Sequence, residues 1–488
     1  MRGQKAQRIK SAFIHRCGLD DHERQQAVEA VIARAKKENL ETIRLSFADQ
    51  HGIFRGKTIT VDGLAAALMD GCTITSTLLL KDTSHRTVFP IWTPPGPFGR
   101  PQLMGGADVM MVPDPHTFRI LPWSPATGWL LCDLYFTDGI AIPFSSRHQG
   151  RRAVEALAQA GYRYRAGLEV EFHLFRLVDP HLRCDQAGHP PQPPEVNLLA
   201  HGYQYLTELR ADELEPVLDL LRRTALELGL PVRSVEVEFG PSQVEFTFHP
   251  EEGIGQADNM MIFRNAVKQV CRRQGYHATF MCRPSLPNLF SSGWHLHQSL
   301  TDHHSGRNIF VPDNPTEWLS PIGCHYVGGL LRHAAACCVF TTPTVNGYQR
   351  YRPYTLAPDR AVWGRENRGA MIRTIGGPGN PDTRIENRIA EPAANPYLAF
   401  ASQIYAGLDG IQTKTAPGPP SDAPYEAEAR LLPRSLSEAL QALRADRVIT
   451  EAMGEEFINY ITTIKDAEVD RFMTEISAWE QKEYFEIF

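Results

Sequence analysis

Hydrophobic and polar positions change period several times along the 488 residues. Residues 22–38 (HERQQAVEAVIARAKKE) carry apolar side chains at helical spacing with charges between them, which predicts an amphipathic helix. From Thr42 to Thr60 the pattern becomes that of strands broken at His51-Gly52 and Arg55-Gly56, so a helix followed by a hairpin opens a small α+β unit. Proline and glycine punctuate residues 91–101 and 121–128, which predicts short strands and shaped loops. Helical periodicity returns at 147–160, directly before a strand pattern, and places a domain boundary near Pro143. Helices at 212–228, 257–274 and 320–337 then alternate with strands, and polar helices follow from 435. The tracts HPPQPPE (189–195) and APGPPSDAP (416–424) read as loops or linkers, and no internal repeat of fixed period is present.

Four strand patterns carry chemistry on one side. In 167–175 (GLEVEFHLF), Leu168, Val170, Phe172 and Leu174 share one face, and Glu169, Glu171 and His173 the other. The pair VEVEF and QVEFTF, joined by the turn GPSQ, sets Glu236 and Glu238 beside Gln243, Glu245 and Thr247. In GWHLHQSL, His295 and His297 oppose Trp294 and Leu296; in TRIENRI, Arg384, Glu386 and Arg388 oppose Ile385 and Ile389. An antiparallel sheet with one wet face produces the same alternation. The outward set here, however, is Glu, His and Arg without the lysines of an ordinary solvated face.

Gathered carboxylates repel and need cations. Oxygen ligands with one imidazole suit Mg²⁺ or Mn²⁺ better than zinc, and Mg²⁺ usually brings phosphate. Arg350, Arg365, Arg368, Arg373, Arg384 and Arg388 then read as clamps for phosphate or carboxylate oxygens. The residues by themselves point to metal-dependent phosphoryl chemistry on a small acid.

Composition narrows the class. Hydrophobic residues make up 42%, charged residues 22%, and the net charge of −6 gives no pull toward nucleic acid or anionic lipid. No apolar run is long enough to span a bilayer, and the basic start (MRGQKAQRIKSAFIHR) lacks the apolar core of a secretory signal. The nine cysteines show no C-x-x-C spacing and read as buried thiols of a reducing cytoplasm.

In this order and spacing, GLEVEF, EFGPSQVEF, GWHLHQSL and RIENR, with PTVNGYQRYRP, WGRENRGAMIR and NPYLAFASQIYAGLDGI, resemble the glutamine synthetase family from about Thr42 to Ile411. The resemblance implies an N-terminal β-grasp domain (1–142) and a C-terminal α/β catalytic domain with a curved antiparallel sheet (143–488). It implies homo-oligomers, commonly dodecamers of two stacked hexamers with active sites between subunits, that use ATP and two or three Mg²⁺ or Mn²⁺ ions. By likeness, Glu171, Glu238 and Glu245 hold one ion, and Glu169, His295 and Glu386 the other. His297, Ser299, Arg373 and Arg384 contact the nucleotide, Arg350 and Arg388 grip the substrate carboxylate, and Arg368 stabilises the transferring phosphoryl group. Asp49, in FADQHG, matches an aspartate that reaches across the subunit junction to the amine site. The implied reaction phosphorylates the γ-carboxylate of glutamate and passes the acyl group to an amine.

Two departures bear on the amine. Ammonia-using members carry a flap glutamate six residues after the arginine matched by Arg350, where this chain has Leu356. The family's Asn-Gly-Ser-Gly loop is replaced by Phe290-Ser291-Ser292-Gly293, which reshapes the substrate site, where Ser292 and Gly293 are expected. Both fit the γ-glutamyl-amine ligase branch, with a small alkyl or aryl amine favoured. A glutamine synthetase whose flap is shifted so that Asp359 serves, a polyamine ligase, and a non-enzymatic scaffold are the competing readings; the last conflicts with a filled set of ligand positions.

Overall fold

A computed structural model describes residues 12–488; residues 1–11 of the basic start lie outside the described residues. The architecture is α+β, built on two sheets. In the first, β1 (Thr42–Ala48) lies between β2 (Phe54–Thr60) and β6 (Thr127–Tyr135), antiparallel to the former and parallel to the latter. β4 (Asp108–Pro113) and β3 (Cys72–Thr75) extend it beyond β6, and β5 (Arg119–Ile120) pairs with β6. The helix His22–Lys37 buries Val28, Val31 and Ala35, the stripe its sequence period predicts.

The expected break at Arg55-Gly56 does not occur; β2 runs straight through it. Gly56 faces Ser46 so closely that a Cβ would lie 1.8 Å from the Leu45 carbonyl oxygen. The glycine is there for close strand approach, and the turn falls at His51-Gly52 alone.

The second sheet is organised by β7 (Tyr162–Asp179), eighteen residues long. One edge of β7 pairs with β13 (Trp294–Asp302) and then β12 (Tyr276–Thr279). The other edge pairs with β11 (Glu251–Glu252), β10 (Gln243–Phe248) and β8 (Glu195–Leu198). The main path reads β14-β15-β16-β13-β7-β10-β9, where β9 is Val232–Val237, β14 Trp363–Arg365, β15 Ile372–Ile375 and β16 Arg384–Ala390.

Behind β7 the apolar face predicted from alternation is fully buried. Phe172 stacks on Phe280 at 4.8 Å and meets Phe246 at 5.8 Å and Phe263 edge-on at 6.0 Å. Phe263 comes from the helix Gly255–Arg273, which seals this face. Each buried phenylalanine contributes on the order of 2–3 kcal/mol. That packing fixes β7 in place behind its carboxylates.

The expected helix at 320–337 is two, Pro321–Arg332 and Ala334–Thr341, divided at His333. Its ring is held between Asp446 at 2.6 Å and Asp409 at 3.0 Å. The helices after 435 are amphipathic rather than simply polar: Glu455–Met473 buries Phe457, Ile458, Tyr460, Ile461 and Ile464. Tyr460 stacks on Phe144 at 4.7 Å and donates to the Leu79 carbonyl, tying the C-terminal region to the first half of the chain. No helix among the described residues is long and apolar enough to cross a membrane.

An ionic cluster ties the first sheet to the helices Ser146–Gln159 and Gly255–Arg273. Arg147 bonds Asp114 at 3.0 Å, Asp133 at 3.1 Å and Asp258 at 2.8 Å, and Arg151 adds contacts of 2.8 Å to Asp114 and Asp133. Arg147→Met would leave Asp114 and Asp133 to Arg151 alone and Asp258 with the Tyr397 hydroxyl, a loss of ~3–5 kcal/mol. A clear drop of the thermal midpoint in scanning calorimetry is the expected outcome, and a midpoint equal to wild type would contradict this role.

Candidate active site

Strand register, which sequence alternation alone does not supply, brings the polar faces into rows. Glu236 on β9 lies opposite Glu245 on β10, which lies opposite Glu171 on β7. In the neighbouring row Glu169 faces Thr247 on one side and His295 on the other. His297 then faces Glu386 on β16, and Glu386 faces Arg373 on β15. Directly opposed like charges destabilise a sheet unless something compensates them.

One half of this surface is compensated from within. Burial opposes the charge of Glu169, yet bonds to His295 at 2.6 Å and His297 at 3.1 Å outweigh it and hold its carboxyl well below the usual range. Burial likewise opposes Glu386, but Arg388 together with His297 and His295 brings it down to about 2. Arg373 bonds Glu386 at 3.0 Å and Glu366 at 2.5 Å.

The other half is not compensated. Burial, reinforced by Glu171, raises Glu238 to about 8. Burial and then Glu169 and Glu171 raise Glu245 well above the usual range. Oxygen donors that resist ionising until a cation arrives are what a divalent ion would relieve. Ligand atoms of Glu169, His295 and Glu386 lie within 4.8 Å of one another, as do those of Glu171, Glu245 and His295. Glu238 stands outside the second trio, its carboxylate accepting the Phe239 N–H at 2.9 Å. The donor set of oxygens with a shared imidazole fits Mg²⁺ or Mn²⁺.

These strands floor a cavity of about 1220 Å³. That exceeds the roughly 300–1,000 Å³ of a single small-ligand site and leaves room for two substrates. Of the expected residues, Glu169, Glu171, Glu238, Glu245, His295, His297, Ser299, Arg350, Leu356, Arg368, Arg373, Arg384 and Arg388 line it. Glu386 lies beneath its floor, fully buried. Arg384 donates to His297 at 3.1 Å, and Arg388 donates through Nε to the Arg368 carbonyl at 3.0 Å. Arg350 donates to the Arg388 carbonyl at 2.8 Å.

Other expected residues lie elsewhere. Arg365 sits over the Trp318 ring at 5.5 Å instead of in the cavity. Ser292 is buried behind the wall, accepting from Gln243 at 2.9 Å and lying 3.3 Å from His173. His173 shares the polar face of β7 but is fully buried, and burial lowers it to about 3, so it is neutral. Gly293 donates its N–H to Glu171 at 2.9 Å, and a Cβ there would lie 2.5 Å from the Arg350 guanidinium. That glycine lets an arginine and a metal-ligand strand meet. Asp49 is buried outside this cavity, accepting from His51 and Ile53 N–H at 2.9 Å each and from Arg55 at 2.7 Å.

The sequence reading missed several lining residues. Glu366 was legible as an acid between two arginines in WGRENRG. Tyr205 and Leu206 had no periodic signal, because folding alone carries the 200–206 loop to the end of β9, where Tyr203 donates its N–H to the Phe239 carbonyl at 2.8 Å, and Phe239, in VEVEF, alternates with the glutamates yet still lines the cavity.

Residues 144–484 match the family model described as glutamine synthetase, catalytic domain. The chain is 43% identical to a gamma-glutamylanilide synthase of Acinetobacter sp, with 98% of this chain and 99% of that protein covered. It is 32% identical to a glutamine synthetase of Methanosarcina mazei, covering 93% and 97%. It is 29% identical to a glutamate–isopropylamine ligase of Pseudomonas sp, with 93% of this chain covered. Among solved structures, a GmaS/ADP complex superposes with a TM-score of 0.79 at 26% identity, covering 93% of this chain and 99% of that one. With a catalytic-domain match over most of its length, relatives this similar end to end, and the acidic and imidazole groups brought together as described, the chain belongs to the glutamine synthetase family of ATP-dependent carbon–nitrogen ligases.

Proposed function

We propose that the protein joins glutamate to an organic amine, with a small alkyl or aryl amine favoured and an arylamine most of all. ATP, glutamate and amine give ADP, phosphate and the γ-glutamyl amide through γ-glutamyl phosphate. The observation that carries this reading is Leu356. Where ammonia-using members place a proton-accepting glutamate, this chain puts an apolar side chain, 58% exposed at the cavity. The shifted-flap alternative has no support in the geometry, because the Asp359 carboxylate is engaged by Arg360 at 2.9 and 3.0 Å. The similarity to the anilide and isopropylamine enzymes agrees with it.

In this reading Arg350 and Arg388 hold the substrate carboxylate, and His297, Ser299, Arg373 and Arg384 hold the nucleotide. Glu171, Glu238 and Glu245 on one side, and Glu169, His295 and Glu386 on the other, are assigned to Mg²⁺ or Mn²⁺. When bound, the ions supply positive charge toward phosphate oxygens. Arg368, exposed on the cavity, offsets charge that builds on the transferring phosphoryl group. An arylamine is largely neutral near neutral pH, so it attacks without first giving a proton to a flap carboxylate. Ammonium needs that acceptor and loses hydration beside Leu356.

We assign residues 1–142 to a β-grasp domain and 143–488 to the catalytic domain, in a cytoplasmic dodecamer of two stacked hexamers. Asp49 then serves the neighbouring subunit's amine site, and reaching it means giving up the Arg55 pair seen within one chain.

Phosphate release with ATP, Mg²⁺ and glutamate, measured across ammonium, alkylamines, polyamines and arylamines, is expected to rank arylamines first; preference for ammonium over every organic amine would overturn the proposal. Leu356→Glu is expected to raise ammonium-dependent turnover by about ten-fold or more, since one positioned proton acceptor contributes ~10²–10⁴. Mn²⁺ is expected to raise the thermal midpoint of the wild type, and Glu245→Gln to remove most of that gain. Equal Mn²⁺ stabilisation in both proteins would argue against the ligand assignment.

A further inference from the structure

Part of the cavity lining is unlike the rest. Most of it is Glu, His and Arg, yet Tyr205, Leu206, Phe239, Phe290, Leu356 and Ala357 line it too. Tyr205 is 50% exposed, Leu206 51%, Phe239 39% and Leu356 58%. Leaving such side chains half in water forgoes part of the stabilisation that full burial would give. Among the described residues they are large apolar groups displayed inside a charged cleft.

The display is built, not loose. Phe239 packs between Tyr203 at 5.3 Å and Phe290 at 5.1 Å. Tyr203 is fixed by its hydroxyl donating to the Asn288 carbonyl at 2.7 Å. Leu206 and Leu356 have φ of +56° and +58°, a left-handed conformation that bulky side chains rarely adopt. The Leu356 carbonyl accepts from Arg388 at 3.4 Å, which ties that conformation to the substrate arginines.

This part of the lining also adjoins the chemistry. Phe239 directly follows Glu238 and donates its N–H to that carboxylate, while Phe290 opens the loop whose Gly293 bonds Glu171. Tyr205 lines the same cavity as Glu236, Glu238 and Glu245.

We infer that Tyr205, Leu206, Phe239, Phe290 and Leu356 form the wall that receives the hydrocarbon body of the amine, with an aryl ring as the group it fits best. This rests on the amine-ligase reading and names the residues that set its selectivity. A ring placed against Phe239 gains edge or offset-stacking contacts beyond the area it buries. Ammonium and hydroxylamine gain neither.

The test compares kcat/KM for aniline with that for hydroxylamine, each with ATP, Mg²⁺ and glutamate, in the full-length wild type, Phe239→Ala and Phe290→Leu. The aniline-to-hydroxylamine ratio is expected to fall about ten-fold or more in both variants, chiefly through KM for aniline; ten-fold corresponds to about 1.4 kcal/mol. Should either variant fold poorly, Tyr205→Ala, on a half-exposed position, replaces it. A ratio unchanged across the variants overturns the wall. Wild-type protein that forms the hydroxamate but no anilide overturns the aryl preference while the ligase reading stands. Formation of neither product overturns the ligase reading, and the wall falls with it.

Discussion

Repulsion among carboxylates that the sheet register forces together is the constraint on which this protein's organisation depends. Glu236, Glu245 and Glu171 stand opposite one another across β9, β10 and β7, and Glu169 is two residues from Glu171 on the same face. No isolated strand would keep such an arrangement. It persists because Phe172, Phe246, Phe263 and Phe280 pack the opposite face and leave the strands no freedom to slide, since a one-residue slip would bury the charges and expose the rings.

The protein resolves the repulsion in two ways on one surface. Around Glu169 and Glu386, imidazoles and guanidiniums supply the compensating charge, and those carboxyls ionise readily. Around Glu238 and Glu245 nothing comparable is present, and their ionisation is suppressed. His295 sits on the border, with Nδ1 2.6 Å from Glu169 and Nε2 3.6 Å from Glu171. Such a divided field is suited to holding cations on the uncompensated side while arginines on the other bind oxyanions.

In the proposed reading the charged floor and the apolar side chains divide the substrates between them in the same way. Family membership fixes ATP-dependent carbon–nitrogen ligation. In that reading the acceptor meets side chains beside the ligand positions: Leu356 on the flap, Phe239 next to Glu238 in the second acidic motif, and Phe290 before the histidine strand. Selectivity would then depend on what replaces a carboxylate and which surface is exposed beside it.

Alternation in GLEVEFHLF, GWHLHQSL and TRIENRI by itself determined which face of each strand is apolar, because side chains alternate with period two whatever the surroundings. It also determined the chemistry on offer, since Glu, His and Arg without Lys is a property of composition. Only the tertiary structure decided that Glu386 lies under the floor, that His173 and Ser292 are sealed behind it, and that Asp49 caps its own turn within one chain. It alone brought the 200–206 loop against β9 and let Gly56 continue a strand that a glycine seemed to end. Burial, register and long-range loop contacts depend on which distant segments meet, and a local pattern carries no record of its partners.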